Sequence, residues 1–115
     1  MKERDFTDYI KDILISMQDV EEFTSGITFE DFLKDKKTIK AVIRSLEVLG
    51  EASKKIPDDV KTRYPRIPWK RMAGMRDKLI HEYFGVDLEI VWNAAKKELP
   101  PVKSSIEELV REIEK

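Results

Sequence analysis

Apolar residues recur along this chain at the spacing of one helix face, in segments that glycines and prolines separate. The first such segment covers residues 6–20. The helix that it predicts should end near Gly26, because glycine readily takes the left-handed conformation found at helix ends. A second apolar stripe covers residues 32–56 and follows Thr28 and Asp31, which are spaced as a capping box. The pattern predicts two helices here, and the second is expected to be long and uninterrupted.

Prolines break the pattern in the middle of the chain and predict a connector over residues 57–68, with a short helical turn at residues 58–64. Pro68 is suited to the first turn of a third helix, which should stop near Gly85. Asp87 can cap a short fourth helix. The apolar and polar positions thus predict helices on both sides of the connector.

Two consecutive prolines at positions 100 and 101 are expected to separate the fourth helix from an amphipathic helix at the end of the sequence. No segment alternates apolar and polar residues as a half-buried strand does, and prolines and glycines interrupt every seam that a coiled coil would need. The predicted fold class is therefore all-α, an antiparallel bundle of four or five helices forming a single domain over residues 1–115.

Composition limits the chemistry of this 115-residue chain, which is 41% hydrophobic and contains one histidine and no cysteine. The apolar content suffices for one modest core, and no apolar run reaches the length of a membrane span or a signal peptide, so we expect a soluble, cytoplasmic protein. Disulfides, thiolate metal sites and histidine-rich zinc centres are excluded. No cofactor is predicted, and a carboxylate-bound Mg²⁺ stays open.

Charge is strongly segregated although the whole chain has a net charge of −1. Residues 1–33 carry nine acidic and three basic side chains, a net charge of −6, whereas residues 54–78 carry nine basic and three acidic side chains, a net charge of +6. The basic block is a potential site for a polyanion. The alternative is that these are solvated helix faces whose opposite charges pair within the fold.

Arg76 falls on the apolar face of the third predicted helix, about 20° from Trp69 on a helical wheel. Because burying an unpaired guanidinium costs several kcal/mol, this position requires a carboxylate partner, a subunit interface or a solvent cleft. An internal ion pair with Glu51 on the second helix would meet this need without any function.

His81 follows Arg76 by five residues, which is about 140° around an ideal helix. For the two to share a site, the arginine side chain bends around the helix, the last turn unwinds, or two chains form a common cleft. Asp77 lies on the side of His81 and can orient one imidazole nitrogen and favour the protonated ring. The alternative is a partly exposed helical histidine paired with Asp77.

Arg76, His81 and Tyr83 reproduce an R-x4-H-x-Y spacing, and residues 42–52 and 68–87 surround it with segments of similar character. In these features the sequence resembles HEPN domains, specifically the HepT-like toxins, over most of its length. Asp77 matches the polar residue that usually follows the motif arginine.

The resemblance implies a homodimeric helical bundle whose two motifs meet in a cleft and cleave RNA without a metal. In such a site His81 would transfer protons, Arg76 would hold phosphate oxygens and Asp77 would orient the histidine. Three further cations would extend the surface for the RNA backbone: Lys70, Arg71 and Lys78.

The resemblance also implies a partner, a minimal nucleotidyltransferase (MNT) antitoxin that silences such toxins by binding and by AMPylating the motif tyrosine, here Tyr83. The added charge and bulk beside His81 would repel RNA. Two alternatives are a catalytically silent HEPN module that binds nucleotide, RNA or its partner, and a purely structural dimerisation bundle in which Arg76 forms an interface ion pair.

Overall fold

The computed structural model describes residues 5–81 and 87–115, with the backbone alone for Arg76 and for residues 78–81. All the secondary structure in these residues is helical, which confirms the predicted all-α class. The helices are α1 (Phe6–Thr24), α2 (Phe29–Lys34), α3 (Lys36–Lys54), α4 (Asp58–Arg63), α5 (Trp69–His81), α6 (Leu88–Asn93) and α7 (Leu99–Ile113), with a π-helical turn (Ala94–Glu98) between the last two. Within the described ranges, no helix has the length and apolarity needed to cross a membrane.

The long helices α1, α3, α5 and α7 enclose the core. Helices α1 and α7 run antiparallel, because Lys11 pairs with Glu114 at one end, at 3.7 Å, and Glu21 pairs with Lys103 at the other, at 3.1 Å. Helix α3 packs along α1 and α5 packs along α3. Within these helices, the fully buried side chains recur at the spacing that the apolar stripes predicted. They include Ile10, Ile13, Val42, Leu46, Leu49, Ile106 and Leu109.

The prediction of one long helix from Thr28 to about Ile56 is wrong, because the chain breaks at Asp35. The Asp35 backbone leaves the helical region, with φ −108° and ψ 86°. Its Oδ1 accepts the Thr38 backbone N–H at 3.1 Å, and its Oδ2 accepts the Thr38 hydroxyl at 2.6 Å. The side chain of Asp35 thus competes with the backbone for hydrogen bonds, ending α2 and starting α3 within one residue.

The prediction that Pro100 and Pro101 separate two helices is also wrong, because helical structure continues from α6 into α7. The Leu99 N–H donates to the carbonyl of Ala94, five residues earlier, in the π-helical turn. Both prolines then occupy the first turn of α7. The wider turn accommodates the proline rings, and a proline is tolerated in a first turn because its missing N–H has no obligatory partner there.

Other predicted boundaries are confirmed by the hydrogen bonds that form them. Thr28 and Asp31 exchange side-chain to backbone hydrogen bonds as a capping box, at 3.0 and 3.1 Å. Gly26 takes a left-handed φ of 74° after α1, and Asp87 accepts two backbone N–H groups at the start of α6. The predicted end of the third helix near Gly85 lies outside the described residues.

Candidate active site

Helix α5 carries Arg76 and His81 of the predicted motif and is anchored through its first turns. The Pro68 carbonyl accepts the Met72 N–H at 3.0 Å, and the side chains of Trp69 and Met72 are 6% and 2% exposed. The Trp69 indole N–H donates to the Tyr64 carbonyl at 3.1 Å. Because these two side chains are buried in the core, the helix that follows has a fixed start and a fixed rotation.

Tyr64 connects this anchor to α7. Its hydroxyl donates a hydrogen bond to the Glu112 carboxylate. That hydrogen bond raises the pKa of Tyr64 above its ordinary value of 10.0, because ionisation would remove the donor and place a phenolate beside the carboxylate. The connector before α5 is thereby tied to the C-terminal end of α7.

Arg76 and His81 both lie in α5, which is helical through His81. Their backbone positions are therefore separated by about 140° around the helix and about 7.5 Å along it. The helix is thus continuous between the two residues, and both a bent arginine side chain and a cleft formed by two chains are compatible with it. The predicted unwinding towards Gly85 lies outside the described residues. The side chains of both residues, the suggested Glu51 pairing with Arg76, and Tyr83 lie outside the described part.

Asp77, the residue after the motif arginine, contacts a basic residue that the sequence analysis did not select. Its Oδ1 lies 3.0 Å from the Lys54 Nζ, and the two side chains are 48% and 37% exposed. Lys54 is the last residue of α3, so this pair joins α3 to the motif helix. Lys54 belongs to the basic block, but no local pattern sets it apart from its neighbours there. The predicted contact of Asp77 with His81 stays a prediction.

Two of the three cations assigned to RNA are exposed near the start of α5, and the side chain of the third, Lys78, is not described. Lys70 and Arg71, together with Lys61 of α4, line a shallow groove of about 800 Å³, which we call the cationic groove. The Arg71 guanidinium also pairs with Glu98 at 3.0 Å. Lys70 and Arg71, which are neighbours in the sequence, thus share this groove with Lys61, which the sequence pattern did not single out.

Helix α6, which follows the motif along the chain, is held by aromatic packing. The Trp92 ring of α6 lies 5.1 Å from the Phe32 ring and 5.9 Å from the Phe29 ring, measured between centroids. The Lys96 ammonium lies 5.5 Å from the centroid of Trp92 and donates to the Thr24 carbonyl at 3.2 Å. Helix α6 is therefore fixed to α2, and the π-helical turn that carries Lys96 is fixed to the end of α1.

Comparison with known proteins identifies the family. A family model described as "Ribonuclease HepT-like" matches residues 13–109. The chain is 51% identical to a candidate RNase of Methanocaldococcus jannaschii over 114 residues, covering 99% of this chain and 94% of that protein. It is 55% identical to a candidate ribonuclease HepT of Thermococcus cleftensis over 106 residues, covering 92% of this chain and 96% of the relative. No solved structure matches the chain. The chain belongs to the HepT-like ribonuclease family.

Proposed function

We propose that this ribonuclease is the toxin of a HEPN/MNT toxin–antitoxin pair and cleaves RNA internally without a metal ion. The observation that carries the proposal is the R-x4-H-x-Y spacing of Arg76, His81 and Tyr83 in a chain of this family, with Arg76 and His81 in one anchored helix. With a single histidine and no cysteine, the chain lacks the ligands of a zinc centre, which supports a reaction that relies on proton transfer by side chains.

The proposed reaction uses the 2′-hydroxyl of the RNA as the nucleophile. A base removes the 2′ proton, the 2′-oxygen bonds to phosphorus, and the bond from phosphorus to the 5′-oxygen breaks as that oxygen receives a proton. His81 is the proton-transferring group because imidazole ordinarily changes charge near neutral pH. Arg76 binds the phosphate oxygens, on which negative charge accumulates in the transition state.

The active unit in this proposal is a homodimer, which the positions on α5 support. Arg76 and His81 lie about 140° apart on a continuous helix, so one helix offers them in different directions. Two chains related by a twofold axis can each supply part of a common cleft. Asp77 then orients His81, and Lys70, Arg71 and Lys78 attract the RNA backbone.

RNA cleavage in the presence of EDTA tests the catalytic assignment. Arg76→Ala and His81→Ala should each lose most of the activity while their circular dichroism spectra match that of the wild type. Arg111→Ala, which removes an exposed arginine from α7, is the matched control and should cleave at the wild-type rate. Equal activity in all three variants would exclude the site, and an inactive wild type would favour a silent binding module.

Mixing the two inactive variants tests whether the site is shared between chains. If Arg76 of one chain works with His81 of the other, random pairing makes half of the dimers mixed, and each mixed dimer has one complete site. Co-refolded Arg76→Ala and His81→Ala chains should therefore recover about a quarter of the wild-type activity. No recovery, with mixed dimers verified by mass spectrometry, would assign both residues to one chain.

The antitoxin part of the proposal concerns Tyr83. A minimal nucleotidyltransferase encoded beside this chain would bind it and transfer AMP from ATP to the Tyr83 hydroxyl, with release of pyrophosphate. The attached AMP adds negative charge and bulk two residues from His81 and would repel RNA. Incubation with that enzyme and ATP should add adenylyl groups to the wild type and abolish cleavage, and Tyr83→Phe should remain unmodified.

A further inference from the structure

We infer that the cationic groove formed by α4 and the start of α5 binds single-stranded RNA and leads it along α5 towards Arg76. The inference rests on the proposed ribonuclease function, because it names where the substrate lies outside the catalytic residues. It adds Lys61 and an apolar floor to the isolated cations that the sequence suggested, and it selects one form of RNA.

The charge of the groove suits a polyanion. Lys61, Lys70 and Arg71 line it, and none of the described residues that line it carries a carboxylate. Lys70 and Arg71 are exposed and Lys61 is half-buried, so all three can be reached from solvent. These cations would replace counterions condensed on the bound RNA, and the release of those counterions makes such binding favourable and dependent on salt.

The floor of the groove suits unpaired bases. Pro65, Pro68 and Ala73 form its accessible apolar surface, while Ile67 and Trp69 lie beneath them at 4% and 6% exposure. A duplex turns its base faces inward and offers mainly phosphates and sugar edges, whereas a single strand also offers base faces. Cations around an accessible apolar floor therefore favour a single strand over a duplex.

The position of the groove connects it to the motif. Ala73, which lines the groove, precedes Arg76 by three residues, which is about 4.5 Å along the helix axis. Residues three apart lie on neighbouring positions of one helix face. An RNA strand lying on the groove would thus reach the level of Arg76 within one nucleotide or two.

The competing carboxylate is weakly held. Glu98 pairs with Arg71 at 3.0 Å, but the Arg71 side chain is 74% exposed and Glu98 is 38% exposed. Exposed pairs of this kind contribute little to stability and are screened by salt. An RNA phosphodiester carries one negative charge, as Glu98 does, but it also offers the guanidinium two oxygens and belongs to a strand that binds the other cations of the groove, so it can displace Glu98.

Binding of an uncleavable RNA tests the groove separately from catalysis. The probe is a fluorescent single-stranded 2′-O-methyl RNA longer than the roughly 4–16 nucleotides of a typical single-strand site. A plot of log affinity against log salt concentration should be shallower by about two units of slope for the triple variant Lys61→Gln, Lys70→Gln, Arg71→Gln than for the wild type. Between about 50 and 200 mM salt, the wild-type affinity should therefore fall about 20-fold more than that of the variant.

A matched control removes the same charge elsewhere. Lys36, Lys37 and Lys40 are exposed at the start of α3, and their replacement by glutamine should leave the wild-type slope unchanged. Equal slopes for the wild type and the groove variant would overturn the inference, and so would a duplex probe that binds as tightly as the single strand. If the salt dependence of probe binding is reduced in the groove variant but the wild type cleaves no RNA, the proposed nuclease function fails and the inference that the groove binds RNA is retained.

Photocrosslinking of the wild-type protein provides a measurement that does not depend on folding of the variant. A 2′-O-methyl probe carrying 4-thiouridine should crosslink within residues 61–73, and unlabelled single strand should compete. Crosslinks confined to the face formed by α1 and α7 would refute the groove.

Discussion

Replacement of Phe32 by alanine should strongly destabilise the protein, because this side chain joins α2 to α6. Phe32 is 0% exposed, and its ring centroid lies 5.1 Å from that of Trp92, with a 42° angle between the rings. Alanine would remove the buried ring and leave a cavity between the two helices. The first effect is loss of apolar burial, and the second is loss of the aromatic contact.

The expected magnitude follows from the complete burial. A buried phenylalanine replaced by alanine costs about 3–5 kcal/mol of unfolding free energy, including the cavity. For a domain of 115 residues, each kcal/mol corresponds to about 4 °C in Tm, so the midpoint should fall by about 12–20 °C. The change exceeds the usual effect of a single substitution and is therefore easy to resolve.

Urea and thermal unfolding followed by circular dichroism provide the assay. Leu33→Ala is the matched control, since Leu33 is the next residue of α2 but is 45% exposed and should lose at most about 1 kcal/mol. A loss for Phe32→Ala within the error of the control would refute the reasoning, because it would mean that α2 and α6 are not one cooperative unit with the core.

Three further predictions concern single contacts. The pKa of Tyr64 should lie above 10.0 in an absorbance titration, and Glu112→Gln should lower it. The stability that this hydrogen bond contributes is fully present below pH 10.0 and is lost as the pH rises through the raised pKa of Tyr64. Asp87→Ala should cost about 0.5–2 kcal/mol in urea unfolding through loss of the α6 cap, whereas Asp87→Asn should retain most of it. Glu98→Gln should change the unfolding free energy by less than about 1 kcal/mol but raise the RNA affinity of the cationic groove, because Arg71 loses a competing carboxylate. Unchanged affinity would contradict that account of the pair.

Several features of the site were beyond sequence reasoning for the same physical reason. Lys54 meets Asp77 across 23 positions of sequence, and Arg71 meets Glu98 across 27. Such contacts depend on how α3, α5 and the π-helical turn pack, and nothing in the local sequence encodes that packing. Lys61 joins the cationic groove through the turn of the connector, so its role also appears only when α4 and α5 lie side by side.

The two incorrect boundaries have a different origin. The apolar stripe on both sides of Asp35 is compatible with one helix, and the competing hydrogen bonds of its side chain with Thr38 decided against it. At Pro100 the usual rule that prolines end helices was outweighed by the π-helical turn, which places the prolines where a helix begins. At both positions, two local preferences of the sequence compete, and the prediction followed the weaker one.

The amino-acid sequence by itself determined the helical class, the caps at Thr28 and Asp87, and the motif of Arg76 and His81, because each depends on residues within about one or two helical turns. The tertiary structure decided which partners Asp77 and Arg71 have and that three cations share one groove. Packing decides these features because they join residues that are distant in sequence, and such residues meet only when the helices are assembled around a common core.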